Sequence, residues 1–316
     1  VDQAQAIAKQ AGAGWWPRVS ASGDASRSER FMSLGALGNT SITQNSYSLG
    51  VAASYELDVW GKVRSRAGAA NKDLEATRQD LEAIAISLSA QVAETWFSLI
   101  EARAQERLLR DQLEVNGTYL DFVERRFGSG LASALDILQQ KQQLAATKAQ
   151  LPNIAANAAA LKHQLAVLLA EAPAQATSGP HLSDEASLPD VPPLPEVGVP
   201  SRMLQRRPDL RSAQLRIAAA DHRIAAAIAD RFPSIGLSAN AGFAAANITA
   251  LFENFVYSIA GNISATLWDG GRLSAEVDRT KAVAEERVLS YGKAVLLALQ
   301  EVEDALAREH YQGETL

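Results

Sequence analysis

One unit occurs twice in this 316-residue chain, and any fold for it must accommodate two matching halves. In each copy a helical run meets a proline, two alternating segments follow, and a glycine turn opens a very long helical run. The first copy begins at Trp16-Pro17-Arg18-Val19 and ends at Leu57-Asp58-Val59-Trp60-Gly61-Lys62-Val63. The second begins at Phe232-Pro233-Ser234-Ile235 and ends at Leu267-Trp268-Asp269-Gly270-Gly271-Arg272. Pro17 corresponds to Pro233, and Gly61 to Gly271. A repeat this long is no solenoid period of roughly 20–50 residues. It reads as duplication of a half-molecule.

The alternating segments carry the sharpest pattern. Val19, Ala21, Gly23 and Ala25 share a face, as do Tyr47, Leu49, Val51, Ala53, Tyr55 and Leu57. Residues 29–46, rich in Gly, Ser, Asn and Thr, read as the loop between them. In the second copy Ile235, Leu237, Ala239, Ala241 and Phe243 alternate with small polar residues. Past a loop near 245–255, Tyr257, Ile259, Gly261, Ile263, Ala265 and Leu267 do the same. Segments of roughly 10–12 residues with one apolar and one small-polar face fit transmembrane β-strands. They fit a half-buried antiparallel sheet equally well. On the membrane reading, Val19, Tyr47, Leu49, Val51, Tyr55, Ile235, Leu237, Phe243, Tyr257, Ile259 and Ile263 face lipid. Four strands cannot close a barrel, and an open edge in lipid leaves backbone groups unpaired. Several chains would then share one barrel.

Between the hairpins the period is helical. Residues 62–127 hold only the isolated Gly68 and Gly117, enough for roughly 95–100 Å of helix. Leu74, Leu81 and Leu88 are spaced by seven, as are Leu113, Leu120 and Phe127, which suggests coiled-coil packing with a slip between the runs. Arg125-Arg126-Phe127-Gly128-Ser129-Gly130-Leu131 reads as a reversal into a return helix, 131–170, with Ser133 a candidate cap. The domain reading is a first repeat over 1–170 (hairpin 17–58), a Pro-rich linker over 171–200 and a second repeat over 201–316. The second repeat comprises helix 201–231, hairpin 233–268 and long helix 272–310. The linker holds seven of the 11 prolines. Val1 already reads as mid-helix, so an export signal is expected upstream of it, and the second half is expected to continue past Leu316.

Composition narrows the chemistry. A net charge of −6 implies no broad basic surface for nucleic acid. With no cysteine there are no disulfides and no thiolate sites. No unbroken apolar run reaches the roughly 18 residues of a membrane helix. His163, His181, His222 and His310 are isolated, and no phosphate loop or nucleophile elbow appears. No cofactor, metal or enzymatic activity is expected. The charge-dense run from Glu101 to Arg110 reads as solvated helix surface or inter-helix pairing.

Arg206-Arg207-Pro208-Asp209-Leu210-Arg211, Phe232-Pro233, Tyr55-Glu56-Leu57-Asp58-Val59-Trp60-Gly61-Lys62-Val63-Arg64 and Trp268-Asp269-Gly270-Gly271-Arg272 stand in fixed order across duplicated halves. Together they resemble the TolC-like outer-membrane factors, and within them the NodT-like efflux lipoproteins. The resemblance implies a mainly α fold with a β-barrel portion. Three chains form a barrel of about twelve strands, four per chain, over a long α-helical barrel. It implies outer-membrane lipid around the strands, a periplasmic adaptor, and an inner-membrane pump of RND or ABC type. It implies passive efflux of drugs or other small molecules, or protein export in a type I secretion system. A lipid-anchor cysteine would precede Val1, and the second tip would follow Leu316. Arg126, Phe127, Gly128, Gly130 and Leu131 match the family's adaptor-contacting turn. Asp136 matches an acidic position that links helices at the periplasmic entrance.

The tip residues alone admit plainer roles. Gly128 and Gly130 supply positive φ for a reversal, Arg125 and Arg126 complement a helix C-terminus, and Asp136 is one more solvated residue. A coiled-coil scaffold with a small β platform also fits the pattern without transport.

Overall fold

The computed structural model describes residues 1–33, 39–173 and 206–314. They form two compact units, Val1–Glu82 with Gly198–Leu316, and Ala83–Val197. The expected linker lies almost wholly outside the described residues, as do residues 201–205 of the expected helix 201–231.

In the first unit a short helix, α1 (Asp2–Gly12), passes through a 3-10 turn (Ala13–Trp15) into the first hairpin, β1 (Arg18–Ser33) and β2 (Asn39–Leu57). After the long helix α2 (Lys62–Gly128) and α3 (Ala134–Leu168), the chain returns to this unit as α4 (Pro208–Ala229). The second hairpin follows, β3 (Ser234–Ala245) and β4 (Phe255–Ser264), joined by a 3-10 turn, and then α5 (Arg272–Gly313). The four strands make one antiparallel sheet in the order β1-β2-β3-β4, so β2 of the first copy pairs with β3 of the second.

The register exceeds the sequence reading in one respect. Residues 29–33 and 39–46 are paired strand, not loop: Glu29 pairs with Thr43 and Phe31 with Ser41, up to Ser33 with Asn39. A solvated two-stranded ladder needs paired backbone rather than an apolar face, so polar composition hides it. This hairpin runs past the last β2–β3 pair, Tyr47 with Ala245. In the other direction β4 stops at Ser264, and Leu267 and Trp268 lie beyond it, 95% and 89% exposed.

Helices α2 and α4 pack closely through small residues. Ala67, Ala69 and Ala76 of α2 are buried, as are Ala219, Ala220, Ala226 and Ala227 of α4. A Cβ on Gly68 would sit 3.0 Å from the His222 ring, so Gly68 lets the imidazole lie against the helix backbone. Arg223 pairs with Asp73, and Ser212 and Arg216 both reach Asp80 across the same seam. His222 is thus half-buried in the α2–α4 seam.

The second unit holds most of α2 and all of α3. Its core is Leu99 and Ala102 against Ala158, Leu165 and Ala166, with Trp96 and Leu161 beside them. On the far side of α2, Phe97, Leu108, Val115, Tyr119 and Phe122 fall within one stripe and are exposed. Within α2 one 18-residue window has a mean hydropathy of 1.4, apolar enough by length and composition to cross a membrane. The sequence reading finds none because Ile84, Ile86 and Leu88 are interleaved with Ser87, Ser89, Gln91 and Glu94. The average passes although no unbroken run exists.

Candidate functional site

The tip reversal is built from its backbone. Leu131 N–H donates to Arg126 O and Gly130 N–H to Phe127 O, both 2.9 Å, closing a Schellman motif with Gly130 at φ 72. Gly128 is the last residue of α2 and has no positive φ, so only one of the two glycines is required by the turn. The Arg126 guanidinium donates to Leu131 O at 3.2 Å and lies 5.8 Å from the Phe122 ring centre. Its methylene stem therefore crosses the turn while Phe127 and Leu131 remain exposed.

Asp136 and Ser133 start the return helix as a capping box. Ser133 N–H and Oγ–H donate to Asp136 Oδ2 at 2.7 and 2.8 Å, and Asp136 N–H donates to Ser133 Oγ at 3.2 Å. The Ser133 amide, then its hydroxyl, and the charge of Arg126 hold the Asp136 carboxyl below its ordinary value. The plain reading of Asp136 as one more solvated residue is too weak, because it fixes where α3 begins.

Cross-strand register collects the sheet candidates. Val51 stands opposite Ala21 and Ala241, and Leu49 opposite Gly23 and Phe243. Tyr47 pairs with Ala25, Val19 with Ala53, Tyr55 with Leu237, Ile235 with Ile263, and Tyr257 and Ile259 with Ala241 and Ala239. Directly opposed residues share a face, so all eleven named residues lie on one face of the sheet. Ile259, Tyr257 and Ile263 are 78%, 74% and 74% exposed there. The other face is Ser20, Ser22, Ser48, Ser54, Ser238, Asn240, Ser258 and Asn262. Gly50 and Gly242 meet on it so closely that a Cβ on Gly242 would lie 2.5 Å from Leu49 O. At one end of the apolar face Phe243 packs edge-on against Phe252 and Phe255, with Tyr257 beside Phe255.

Where sheet meets helix, the sequence reading misses two aspartates. Asp58 accepts from Val63 N–H and Arg64 N–H, both at 2.8 Å, satisfying the first amides of α2. Asp269 does the same for α5, accepting from Gly271 N–H at 3.0 Å and Leu273 N–H at 2.9 Å. The Leu273 amide, then that of Gly271, lowers the Asp269 pKa, and Arg272 adds to it. The chain reaches these caps through left-handed glycines, Gly61 at φ 77 and Gly271 at φ 90. The start of α2 is tied to the end of α4 and the entry to β3. Trp60 stacks on Phe232 at 4.9 Å and its indole N–H donates to Pro233 O at 2.7 Å. Lys62 bridges Glu56 and Asp230, and Arg66 joins Asp230 at 2.7 Å.

The Arg-Arg-Pro-Asp-Leu-Arg run is a helix start. Pro208 occupies the first turn of α4, and Arg207 forks onto Asp209 at 3.1 and 2.8 Å while reaching Glu301 of α5 at 2.7 Å. The Asp209 bond, with Glu301 behind it, raises the Arg207 pKa, and Arg207 in turn lowers that of Asp209. Leu210 is buried beneath.

Comparison with known proteins places these features together. A family model described as outer membrane efflux protein matches residues 1–171 and 199–314. Over 328 residues the chain is 34% identical to the pyoverdine export outer membrane protein OpmQ of Pseudomonas aeruginosa, covering 100% of this chain and 68% of that protein. It is 32% identical over 295 residues to the toluene efflux pump outer membrane protein TtgC of Pseudomonas putida, covering 92% of this chain and 60% of that one. The chain therefore spans about two thirds of the length of these relatives. The crystal structure of the outer membrane protein VceC of Vibrio cholerae superposes with a TM-score of 0.86 at 25% identity, covering 98% of this chain and 73% of that one.

Proposed function

Since the chain belongs to the outer membrane efflux protein family, we propose that it is one subunit of a trimeric duct that carries small molecules out through the outer membrane. The observation that carries this reading is the sheet. It has four strands, one apolar face, one small-polar face, and edges at β1 and β4 with no partner strand among the described residues. Unpaired edges in hydrocarbon leave backbone groups unsatisfied, so neighbouring copies supply the missing pairing. β1 of one copy then meets β4 of the next, and about twelve strands close the barrel. The eleven residues of the apolar face contact lipid, and the Ser- and Asn-rich face lines the channel.

The exposed stripe of α2, from Phe97 to Phe122, is covered by helices of a neighbouring copy. Arg126, Phe127, Gly130 and Leu131 form the turn that a periplasmic adaptor grips, and Asp136 stands at the entrance. The adaptor joins the duct to an inner-membrane pump of RND or ABC type. The duct supplies no chemistry; the pump selects cargo and provides energy. OpmQ and TtgC are named for pyoverdine export and toluene efflux, cargoes of the small-molecule class proposed for this chain.

The test is the mass and conductance of the detergent-solubilised full-length protein. The expected result is a trimer that requires detergent and conducts ions in a planar bilayer. A detergent-free soluble monomer that retains its β content overturns the reading and favours the scaffold.

A further inference from the structure

The duplication holds at the level of single backbone pairs. Pro233 follows Pro17 by 216 residues, and Gly271 follows Gly61 by 210. These two shifts carry the first hairpin onto the second without a slip. Val19 opposite Ala53 becomes Ile235 opposite Ile263, and Ala25 opposite Tyr47 becomes Ala241 opposite Tyr257; each is an observed pair. The helices keep the same phase, since Lys62 at the start of α2 becomes Arg272 at the start of α5. One seam joins the halves inside the chain, β2 with β3 and α2 with α4. Its counterpart would join the two free edges, β4 with β1 and α5 with α1. Four strands cannot close on themselves, so that counterpart lies between copies of the chain.

Resting on the duct reading, we propose that the seam between copies repeats the inner seam in register. Leu57 opposite Ile235 becomes Leu267 opposite Val19 of the next copy, and Ala53 opposite Ala239 becomes Ile263 opposite Gly23. This register keeps the apolar side chains of both strands on one face, which a slip of one residue would break. Strand β2 continues to Leu57 because β3 lies beside it, whereas β4 stops at Ser264 and leaves Leu267 bare. Pairing with β1 of the next copy extends β4 to Leu267. The helices follow the same shifts. Arg223 of α4 pairs with Asp73 of α2 across the inner seam, and their counterparts are Ile7 of α1 and Val283 of α5. Ile7 is 50% exposed, an apolar side chain where the inner seam carries a charge. Asp230, which holds Lys62 and Arg66 in the inner seam, becomes Gly14, and Trp60 becomes Gly270. The seam between copies therefore keeps the register, exchanges an ion pair for an apolar contact and lacks the indole stack. Repeated head to tail, such a contact generates a closed ring.

The experiment uses the full-length protein in outer-membrane vesicles, with its mass in detergent measured in parallel. G23C with I263C, oxidised and run without reductant, is expected to give a covalently closed trimer, because directly opposed residues bring their Cβ atoms close to disulfide reach. A Cβ on Gly23 meets nothing nearer than Leu49 Cδ1 at 3.6 Å, so the strand accommodates it. A21C with I263C and A25C with I263C represent slips of two residues in either direction. They are expected to cross-link about tenfold more slowly, since diagonal neighbours stand roughly 7–8 Å apart. A trimer in which a slipped pair links faster, or in which no pair links, overturns the register and leaves the duct standing. A monomer that yields no cross-link overturns both. The helix contact is read without cysteines: I7R with V283D transplants the Arg223–Asp73 pair across the seam. Each single change is expected to lower the temperature at which the trimer dissociates, and the double variant to recover most of that loss. Simply additive losses overturn the α1–α5 contact.

Discussion

Gly128 and Gly130 lie two residues apart at the tip, and alanine at each should act in opposite directions. Gly130 sits at φ 72 with open space around its missing Cβ, so substitution there meets no clash. The cost of G130A is conformational: an L-residue in the left-handed region loses about 1–2 kcal/mol. Alanine's smaller unfolded-state entropy returns about 0.4–1 kcal/mol. The net is about 1 kcal/mol against the reversal, or roughly fivefold in local opening. Gly128 is helical and also faces open space, so G128A gains about 0.5 kcal/mol of helix propensity. Global melting would bury both effects. Hydrogen exchange at the Leu131 amide, which donates to Arg126 O at 2.9 Å, reads the turn directly. G130A should speed that exchange about fivefold, and G128A should slow it about twofold. Equal shifts in one direction, or no change with G130A, would refute the Schellman account of the tip.

Other perturbations follow the same logic. Ala170 closes α3 at φ 58, with Glu171 N–H donating to Ala166 O at 2.8 Å, so Ala170→Gly should stabilise that end by about 1 kcal/mol in denaturant-dependent exchange. Trp60→Phe keeps the stack on Phe232 but deletes the 2.7 Å bond to Pro233 O, and should cost about 1 kcal/mol in the denaturant midpoint. Asp269 has a lowered folded pKa, so its cap is at full strength above the unfolded carboxyl value and is lost as pH falls through the folded one. The protection factor at Leu273, the exchange rate corrected for its intrinsic pH dependence, should therefore fall on acidification, and Asp269→Asn should flatten that dependence. Arg126→Glu reverses the charge beside Phe127 and should weaken adaptor affinity by about 1 kcal/mol, roughly fivefold, with the trimer intact. Unchanged affinity in surface plasmon resonance would remove Arg126 from the docking surface.

The repeat was legible because its punctuation is local. Pro17, Pro233, Gly61 and Gly271 each break a period at the residue itself, and Gly61 and Gly271 carry the positive φ that the turn requires. The apolar face was legible because pleating alone decides it, and register then aligned Val51 with Ala241 and Ile235 with Ile263. The polar end of the first hairpin was not, since Glu29 opposite Thr43 carries no signal beyond strand pairing itself. Asp58 and Asp269 escaped notice because a cap is recognised by distance to amides several residues on. Their flanking glycines offered the only hint. The role of Gly68 depends on His222, more than a hundred positions away, and no local pattern announces such a contact.

The central claim is that one face of the sheet meets lipid and the other meets water. Residues 1–316 hold no cysteine, so single cysteines placed along β4 can carry a nitroxide at a chosen position. Collision rates with oxygen and with a water-soluble nickel chelate, measured from Phe255 to Ser264 in lipid vesicles, test the claim most directly. The account predicts a period of two: oxygen-dominated relaxation at 257, 259 and 263, chelate-dominated relaxation at 258, 260 and 262. Chelate access on both faces would contradict it.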